Sequence, residues 1–207
     1  MLRIMIKIWT CFVLMIMTAI ANAQSCPDNN HPHVIDLGLS SGTKWACCNI
    51  DAKAPHDIGG FYAWGETEEK DVFSPKNYDN SIGAFFSRVI HLDDSHDVAS
   101  VKWGDAWHMP SLEQLNELIG NCSYKWETVK GMTGMMFVGK NGNSLFLPAG
   151  GKKIDFSWNS KGTYGFYWSD TEYDKSTAHY LYFYEGKIGS FKGTMPIGCL
   201  VRPVLKY

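Results

Sequence analysis

The 207-residue chain lacks the sequence features of several functional classes. It has no Cys-x-x-Cys pair and no Cys-x-x-Cys-His segment, so a dithiol redox centre, a zinc ribbon and covalent haem attachment have no support. Basic residues are not in excess either, since 19 lysines and arginines are opposed by 21 acidic residues. Because a protein that binds a phosphate backbone needs a basic footprint, nucleic acid is not expected as a partner.

A long hydrophobic run is also missing. The most apolar stretch, from Ile8 to Ala21, is shorter than the roughly 20 residues that span a bilayer. Two basic residues precede it, and the small residues of Ala21-Asn22-Ala23 end it, which is the pattern of a signal peptide and its cleavage site. We therefore predict a signal peptide over residues 1–23 and no membrane span in the mature chain.

The predicted mature chain, residues 24–207, is long enough for one domain with a substantial core and short for two. Removal of the leader, which holds two basic and no acidic residues, changes the formal net charge from −2 to −4. The leader predicts an exported protein, located in the periplasm, on the cell surface or outside the cell. A lipoprotein attached through Cys26 is the alternative, although Gln24 is large and polar where a lipobox has small residues.

Five cysteines remain after cleavage, and export permits disulfides among them. We predict structural bridges, but an odd number leaves the full pairing open. Neighbouring residues of a strand point to opposite faces, so Cys47 and Cys48 are not both expected to face the core. The five are Cys26, Cys47, Cys48, Cys122 and Cys199.

Hydrophobic runs and turn residues predict a sheet that starts early in the chain. The segment HVIDLGLSSGTKWACCNI contains two short strands around Ser40-Ser41-Gly42. Residues 51–105 are rich in glycine, proline and charge, and they predict long loops with little regular structure. The final segment GCLVRPVLKY predicts a last strand at a sheet edge or a bulge, because Pro203 has no N–H to donate.

Two hairpins are predicted in the second half of the chain, around Asn141-Gly142 and Glu185-Gly186. The first has a loop longer than two residues. In the second, alternation places Leu181 and Phe183 on one face of the strand. The opposite face then holds Tyr180, Tyr182 and Tyr184.

A short helix is predicted after Pro110. Ser111 and Gln114 have the spacing of a capping box, and apolar residues recur at helical spacing up to Gly120. His108 and Met109 could be metal or haem ligands by residue type, but they directly precede this helix, so we predict a structural role for both. The apolar helix positions are Leu112, Leu115, Leu118 and Ile119.

Six segments together carry a family resemblance: HVIDLGLSSGTKWACCNI, FYAWGET, WGDAWHMPSLEQLNELIGNC, GNSLFLPAGG, YGFYWSDTEY and LVRPV. In this order they resemble the Fibrobacter succinogenes major paralogous domain family over nearly all of the mature chain. A more distant similarity links the chain to the Lcl-type C-terminal adhesin domain and to the formylglycine-generating enzymes. It implies an α+β, C-type-lectin-like fold with a mixed or antiparallel sheet, one or two short helices and long loops.

The resemblance implies an exported, often surface-associated protein. We predict a non-catalytic binding or adhesion module that recognises a glycan or a surface protein and needs no cofactor. A structural or assembly subunit of a cell-surface appendage is one alternative. An enzyme of the formylglycine-generating kind is another, disfavoured because those enzymes use a pair of late cysteines, whereas only Cys199 follows Cys122. The family pattern also implies a disulfide between Cys48 and Cys122.

The segment HLDDSHD contains residue types that bind divalent cations. It lacks EF-hand spacing and a zinc motif, and the chain also lacks the Glu-Pro-Asn and Trp-Asn-Asp motifs of calcium-dependent lectins. We therefore predict a solvated acidic loop and assign no metal ligand. The residues considered are His91, Asp93, Asp94, His96 and Asp97, with His31 and His33 as possible additions.

Aromatic residues alternate with small and polar ones in FSWNSKGTYGFYWSDTEY, residues 156–173. Tyr167 and Trp168 lie in an apolar cluster and are predicted to enter the core. Aromatic residues with polar neighbours are predicted to form an exposed surface, because flat rings stack on sugars or anchor a protein partner. The predicted binding residues are Trp158, Tyr164 and Tyr173, with Lys161, Asp170 and Glu172 on the rim.

Overall fold

The computed structural model describes residues 33–79 and 91–205. The predicted signal peptide, Cys26 and His31 lie outside these ranges. Within them, no helix is both long and apolar enough to cross a membrane.

Twelve strands and two short helices make up the regular structure of the described ranges. The helices are α1 (Val98–Trp103) and α2 (Leu112–Asn121). The first six strands are β1 (Val34–Asp36), β2 (Lys44–Ala46), β3 (Trp107–His108), β4 (Ser123–Val129), β5 (Met132–Val138) and β6 (Ser144–Pro148). The remaining strands are β7 (Lys152–Ile154), β8 (Ser157–Asn159), β9 (Tyr164–Asp174), β10 (Thr177–Tyr184), β11 (Lys187–Thr194) and β12 (Val204–Leu205).

The strands form one four-stranded, two three-stranded and one two-stranded sheet among the described residues, and the pairings between them are antiparallel. The orders are β1-β2-β12-β3, β4-β5-β6, β9-β10-β11 and β7-β8. Mostly antiparallel sheets with two short helices make this an α+β protein. Both predicted hairpins are present: β5 and β6 are joined by a five-residue loop, residues 139–143, and β10 and β11 by Glu185-Gly186.

The last strand, β12, lies inside its sheet with a strand on each side. The prediction that it lies at a sheet edge is therefore wrong. Val204 pairs with Trp45 of β2 on one side and with His108 of β3 on the other. Pro203 is tolerated because it directly precedes the strand and contributes only its carbonyl, which accepts from the N–H of Ala46 at 2.8 Å. The last described strand is thereby joined to the second strand.

Helix α2 begins as predicted. The Ser111 side chain accepts from the N–H of Gln114 at 3.2 Å, and the Gln114 side chain accepts from the N–H of Ser111 at 2.8 Å, which completes a capping box. Trp107 and Met109, before the helix, are both buried. His108 is partly buried in β3, with its Nδ1 2.7 Å from the carbonyl of Met109, and its structural role stays a prediction. The helix packs against β9, β10 and β11.

The loop region 51–105 is only partly as predicted. Its described residues contain isolated bridges and turns, but α1 also forms there. The buried Asp97 side chain starts this helix by accepting from the N–H groups of Ala99 at 2.8 Å and Ser100 at 3.2 Å. Its second oxygen accepts from the N–H of Met109 at 2.7 Å, so one carboxylate fixes both the start of α1 and the residue that follows β3.

The core is rich in tryptophan and tyrosine, and it contains one arginine. Tyr167 and Trp168 are buried, as predicted. Arg202, 1% exposed, donates to Asn49 Oδ1 and to four backbone carbonyls. Those carbonyls belong to Ala46, Cys47, Pro55 and Phe146, so the guanidinium links the segment after β2 to β6.

The structure contradicts two predictions about the cysteines: that Cys48 and Cys122 form a disulfide, and that Cys47 and Cys48 do not both face the core. Within residues 33–79 and 91–205 the structure contains no disulfide, so the implied bridge between Cys48 and Cys122 is absent from it. The Cys48 thiol lies instead 3.7 Å from the carbonyl of Ala52. Cys47 and Cys48 are both buried, because β2 ends at Ala46 and strand alternation no longer applies to the bend that follows. Cys199 is also fully buried.

Candidate ligand-binding face

One face of the sheet β9-β10-β11 is built almost entirely from aromatic residues. The strand register places side chains in three rows, because residues directly opposite each other share a face. The rows are Tyr164, Tyr184 and Lys187; Phe166, Tyr182 and Gly189; and Trp168, Tyr180 and Phe191. We call the aromatic residues of this set, apart from the fully buried Trp168, the tyrosine face: Tyr164, Phe166, Tyr180, Tyr182, Tyr184 and Phe191.

The rings of the tyrosine face form a continuous array. Tyr164 and Tyr182 are stacked, with ring centroids 5.7 Å apart and an interplanar angle of 13°. Tyr184 lies 5.2 Å from Tyr164, and Phe191 meets Tyr182 edge-on at 5.2 Å. Gly189 permits the last contact, because a Cβ at that position would lie 3.1 Å from the Phe191 ring. The array is therefore fixed by its own packing as well as by the sheet.

The tyrosine face is partly open to solvent. Phe191 is 40% exposed, and Tyr164, Tyr180, Tyr182 and Tyr184 are each partly exposed. The opposite side of β10 is closed, since Leu181 and Phe183 are fully buried. The sheet thus has one side in the core and one side that presents rings.

The hydroxyls of the exposed tyrosines differ from those of the buried tyrosines. Tyr62, Tyr78 and Tyr167 donate to Asp51, to the carbonyl of Trp64 and to the carbonyl of Pro148, respectively. The four hydroxyls of the tyrosine face make no hydrogen bond with any residue that the structure describes. They remain available to water or to a ligand.

The phenols are close enough to influence one another. Burial raises the pKa of Tyr182, and the neighbouring Tyr164 and Tyr184 raise it further. Burial also raises the pKa of Tyr180 to about 12. Tyr180 and Tyr182 therefore stay neutral at physiological pH, and each hydroxyl can act as a hydrogen-bond donor as well as an acceptor.

A pocket of about 430 Å³ lies at one end of the tyrosine face. Tyr164 and Tyr184 form one part of its wall, and Trp126 of β4 adds a third ring. Glu185, in the turn between β10 and β11, is the charged residue among those that line it. The lining residues are Trp126, Gly162, Thr163, Tyr164, Tyr184 and Glu185.

Two lysines border the tyrosine face, but neither lines this pocket. The Nζ of Lys152 lies 4.6 Å from the ring centroid of Phe166, and that of Lys187 lies 5.6 Å from the centroid of Phe191. Both ammonium groups therefore rest against aromatic rings, and neither forms an ion pair with Glu185.

A second cavity, of about 570 Å³, is polar and internally paired. Lys70 forms an ion pair with Glu66 at 2.5 Å and donates to the carbonyl of Asn77 at 3.1 Å. Glu66 also accepts from the N–H of Asp79 at 3.0 Å. Since these groups bind each other, the tyrosine face is the stronger candidate for a ligand.

The six predicted binding residues do not form one surface. Tyr164 belongs to the tyrosine face, but Tyr173 lies nine residues further along the same strand, about 30 Å away at the usual rise of a strand. Tyr173 contacts His179 and carries Lys192 over its ring, with the Nζ 3.6 Å from the centroid. A single small ligand cannot reach both tyrosines.

Trp158 and Lys161 form a separate pair. The Lys161 Nζ lies 4.2 Å from the ring centroid of Trp158. The indole N–H of Trp158 donates to the carbonyl of Gly150 at 2.6 Å, and its ring meets Phe61 edge-on at 5.4 Å. Trp158 is 44% exposed, yet its polar atom is already used within the protein.

The two acidic residues of the predicted rim lie in different environments. Asp170 is buried and its carboxylate lies 3.0 Å from His91 Nδ1, so it does not border an exposed aromatic surface. Burial raises the pKa of Asp170, although His91 opposes the shift. Glu172 is partly exposed, and its pKa is raised by burial and by Asp174.

The segment HLDDSHD is a turn and a helix cap. Asp93 accepts from the N–H groups of Ser95 and His96, and Asp97 caps α1. The prediction of a wholly solvated loop is wrong for Asp97, which is buried. Among the described residues, no group of three or more His, Cys, Asp or Glu side chains is arranged to hold a metal ion.

The central residues of the tyrosine face were missing from the predicted site. Their alternation in HYLYFYEGKIGSF was visible, but it did not show which side of the hairpin would be open. Comparison of the chain with family models, with curated proteins and with solved structures finds no match. The family resemblance therefore stays a prediction.

Proposed function

We propose that this protein is an exported, non-catalytic binding module of C-type-lectin-like fold whose tyrosine face recognises a glycan. The observation that carries the proposal is the set of stacked, partly exposed tyrosines on one sheet face, with hydroxyls that no described residue engages. The proposal keeps Tyr164 from the sequence-based site and replaces its other members with Tyr182, Tyr184 and Phe191.

The chemistry of the face suits a sugar. The faces of a pyranose ring carry C–H groups that pack on aromatic rings, while its hydroxyls need hydrogen-bond partners at the edge. Tyrosine supplies both a ring and a hydroxyl, and it loses little conformational entropy on binding. Several tyrosines in adjacent rows would contact successive units of an oligosaccharide. A surface protein is the competing ligand, since the same rings can anchor a protein partner.

The topology supports the fold assignment without deciding it. Strand β12 pairs with β2, so the two ends of the domain meet in one sheet, and α2 packs against a second sheet. Long loops connect the early elements. These are features expected of a C-type-lectin-like domain.

The proposal is tested with the exported protein on an array of oligosaccharides of glucose, galactose, mannose and N-acetylglucosamine. Tyr182→Ala should weaken binding to a retained glycan about 5- to 150-fold, equivalent to ~1–3 kcal/mol, if Tyr182 is a hot spot. Tyr182→Phe keeps the ring and removes only the hydroxyl, so it separates stacking from hydrogen bonding. Far-UV circular dichroism of each variant checks that the fold is retained.

Tyr173→Ala is the matched control, because Tyr173 is an exposed tyrosine of β9, the strand next to that of Tyr182, and lies outside the tyrosine face. Its affinity should equal that of the unsubstituted protein. If Tyr173→Ala abolishes binding and Tyr182→Ala does not, the tyrosine face is the wrong site. If no glycan is retained but a surface protein binds through Tyr182, the glycan assignment fails.

A further inference from the structure

We infer that the pocket at the end of the tyrosine face binds the protonated amine of an amino sugar, so that the module selects glycans with free amines over their N-acetylated forms. The inference rests on the proposed function, because it names the ligand class of the same face. Charge is unevenly distributed along the tyrosine face: Glu185 lines the pocket, whereas Lys152 and Lys187 lie over Phe166 and Phe191.

The wall of the pocket is suited to a cation. Trp126, Tyr164 and Tyr184 line it together, and aromatic faces carry negative electrostatic potential that attracts ammonium groups. Tyr164 and Tyr184 are tilted by 52° at a centroid distance of 5.2 Å, so they form an angled corner. Trp126 closes the pocket from the neighbouring sheet.

Two side chains of the pocket, Glu185 and Thr163, offer hydrogen-bond acceptors. Glu185 forms no ion pair or hydrogen bond with any residue that the structure describes, so its carboxylate is available. The Thr163 hydroxyl donates its hydrogen to the carbonyl of Ser160 at 2.9 Å, which leaves oxygen lone pairs for an incoming N–H group. An ammonium group can satisfy both acceptors, whereas the carboxylate or sulfate of an acidic sugar would be repelled by Glu185.

The cations nearby do not neutralise this carboxylate. Lys187 is close in sequence to Glu185 and lies opposite Tyr184 in the strand register, but its Nζ lies over Phe191 and it forms no ion pair with Glu185. Lys152 lies over Phe166, and Lys161 over Trp158. Each lysine is held against a different ring, so the pocket itself combines three rings with one unpaired negative charge.

The test compares two tetrasaccharides that differ only at nitrogen, β-1,4-linked glucosamine and β-1,4-linked N-acetylglucosamine, by isothermal titration calorimetry. A partly exposed ion pair together with a cation–π contact predicts a roughly 5- to 20-fold preference for the free amine. Added salt should reduce the preference, because it screens the contribution of Glu185. Monomeric glucosamine should bind far more weakly than the tetramer, since it cannot also stack on Tyr182.

Glu185→Gln should reduce the preference to about two- to fivefold, because the cation–π attraction acts alone once the charge is removed. Glu127→Gln is the control: Glu127 lies on β4 beside Trp126 but pairs with Lys125 at 3.0 Å and does not line the pocket. Its preference should equal that of the unsubstituted protein.

Equal affinity for the two tetramers, or tighter binding of the N-acetylated one, overturns the inference while Tyr182-dependent glycan binding still supports the proposed function. Retention of the preference in Glu185→Gln also overturns it. If monomeric glucosamine binds as tightly as the tetramer, the ligand is a small amine and the inference fails. If the unsubstituted protein binds neither tetrasaccharide nor any glycan of the array, the proposed function is contradicted as well.

Discussion

Replacement of Arg202 by methionine should destabilise the protein more than any surface substitution. The guanidinium is 1% exposed and makes five hydrogen bonds, at 2.8 to 3.4 Å, with acceptors from the segment after β2, the loop at Pro55, and β6. Methionine can occupy the space of the aliphatic part of the arginine side chain, but it cannot donate a hydrogen bond. Its substitution would leave Asn49 Oδ1 and several carbonyls without this donor in a buried site.

The magnitude follows from two opposing contributions. Five hydrogen bonds to a charged donor, at about 1.5–3 kcal/mol each, would give a sum comparable to the whole stability of a domain. Burial of the charge costs several kcal/mol, which offsets much of this sum. We therefore expect Arg202→Met to lower the free energy of unfolding by about 3–5 kcal/mol, because each buried acceptor that loses its donor costs about 1–3 kcal/mol. Arg202→Lys should not restore stability, because an ammonium cannot match the planar fork of the guanidinium.

Urea titration followed by tryptophan fluorescence measures this loss. Lys175→Met is the control, since Lys175 is exposed and surface substitutions usually change stability by no more than about 0.5 kcal/mol. A loss below about 1 kcal/mol for Arg202→Met would show that water or rearranged donors replace the guanidinium, and the reasoning would fail.

Two further predictions concern the helix starts. Burial raises the pKa of Asp97 from 3.8 to about 6, so between these pH values the folded protein retains a proton that the unfolded chain has lost. The free energy of unfolding should therefore decrease as pH rises through this window, by up to about 3 kcal/mol from Asp97. Asp97→Asn removes this titration, and a pH-independent difference in unfolding free energy between the two proteins would contradict the assignment. Ser111→Ala should lower the unfolding free energy by about 1 kcal/mol through loss of the capping box, while Ser157→Ala, at an exposed position, should leave the melting temperature unchanged.

Local signals predicted the elements whose structure depends on nearby residues. The capping box of Ser111 and Gln114 uses contacts three residues apart, and the turn at Glu185-Gly186 joins adjacent strands. Both are therefore visible in a short window. The burial of Tyr167 and Trp168 also followed from their apolar neighbourhood. The mostly antiparallel α+β architecture could also be predicted, because hairpins and short helices are recognised within short stretches of sequence.

Long-range contacts decided the features that the sequence did not predict. The interior position of β12 depends on partners more than 90 residues away, so Pro203 alone gave a misleading indication of an edge. The burial of Asp97 depends on Met109, whose N–H it binds from the other side of α1. A run of acidic residues in sequence could not show that one of them serves as a buried cap.

The predicted binding residues do not lie together in the fold, and the reason is geometric. A window of eighteen residues, 156–173, seemed compact in sequence, but an extended strand separates its ends by tens of ångströms. Side chains that meet on a sheet come from different strands at matching register. Tyr164 therefore meets Tyr182 and Tyr184 of β10, and the true neighbours lie outside the window.

The hydroxyls of the tyrosine face offer a way to separate folding from binding. A buried tyrosine hydroxyl is retained where it satisfies a partner, as the hydroxyl of Tyr167 does with the carbonyl of Pro148 at 2.7 Å. The hydroxyl of Tyr182 has no such partner among the described residues, so phenylalanine at this position would preserve the ring contacts and therefore the fold. Folding alone gives no reason to prefer tyrosine over phenylalanine there. Recognition of a ligand that has its own hydrogen-bonding groups gives a reason to prefer tyrosine. Only a hydroxyl can exchange its hydrogen bond with water for a hydrogen bond with that ligand.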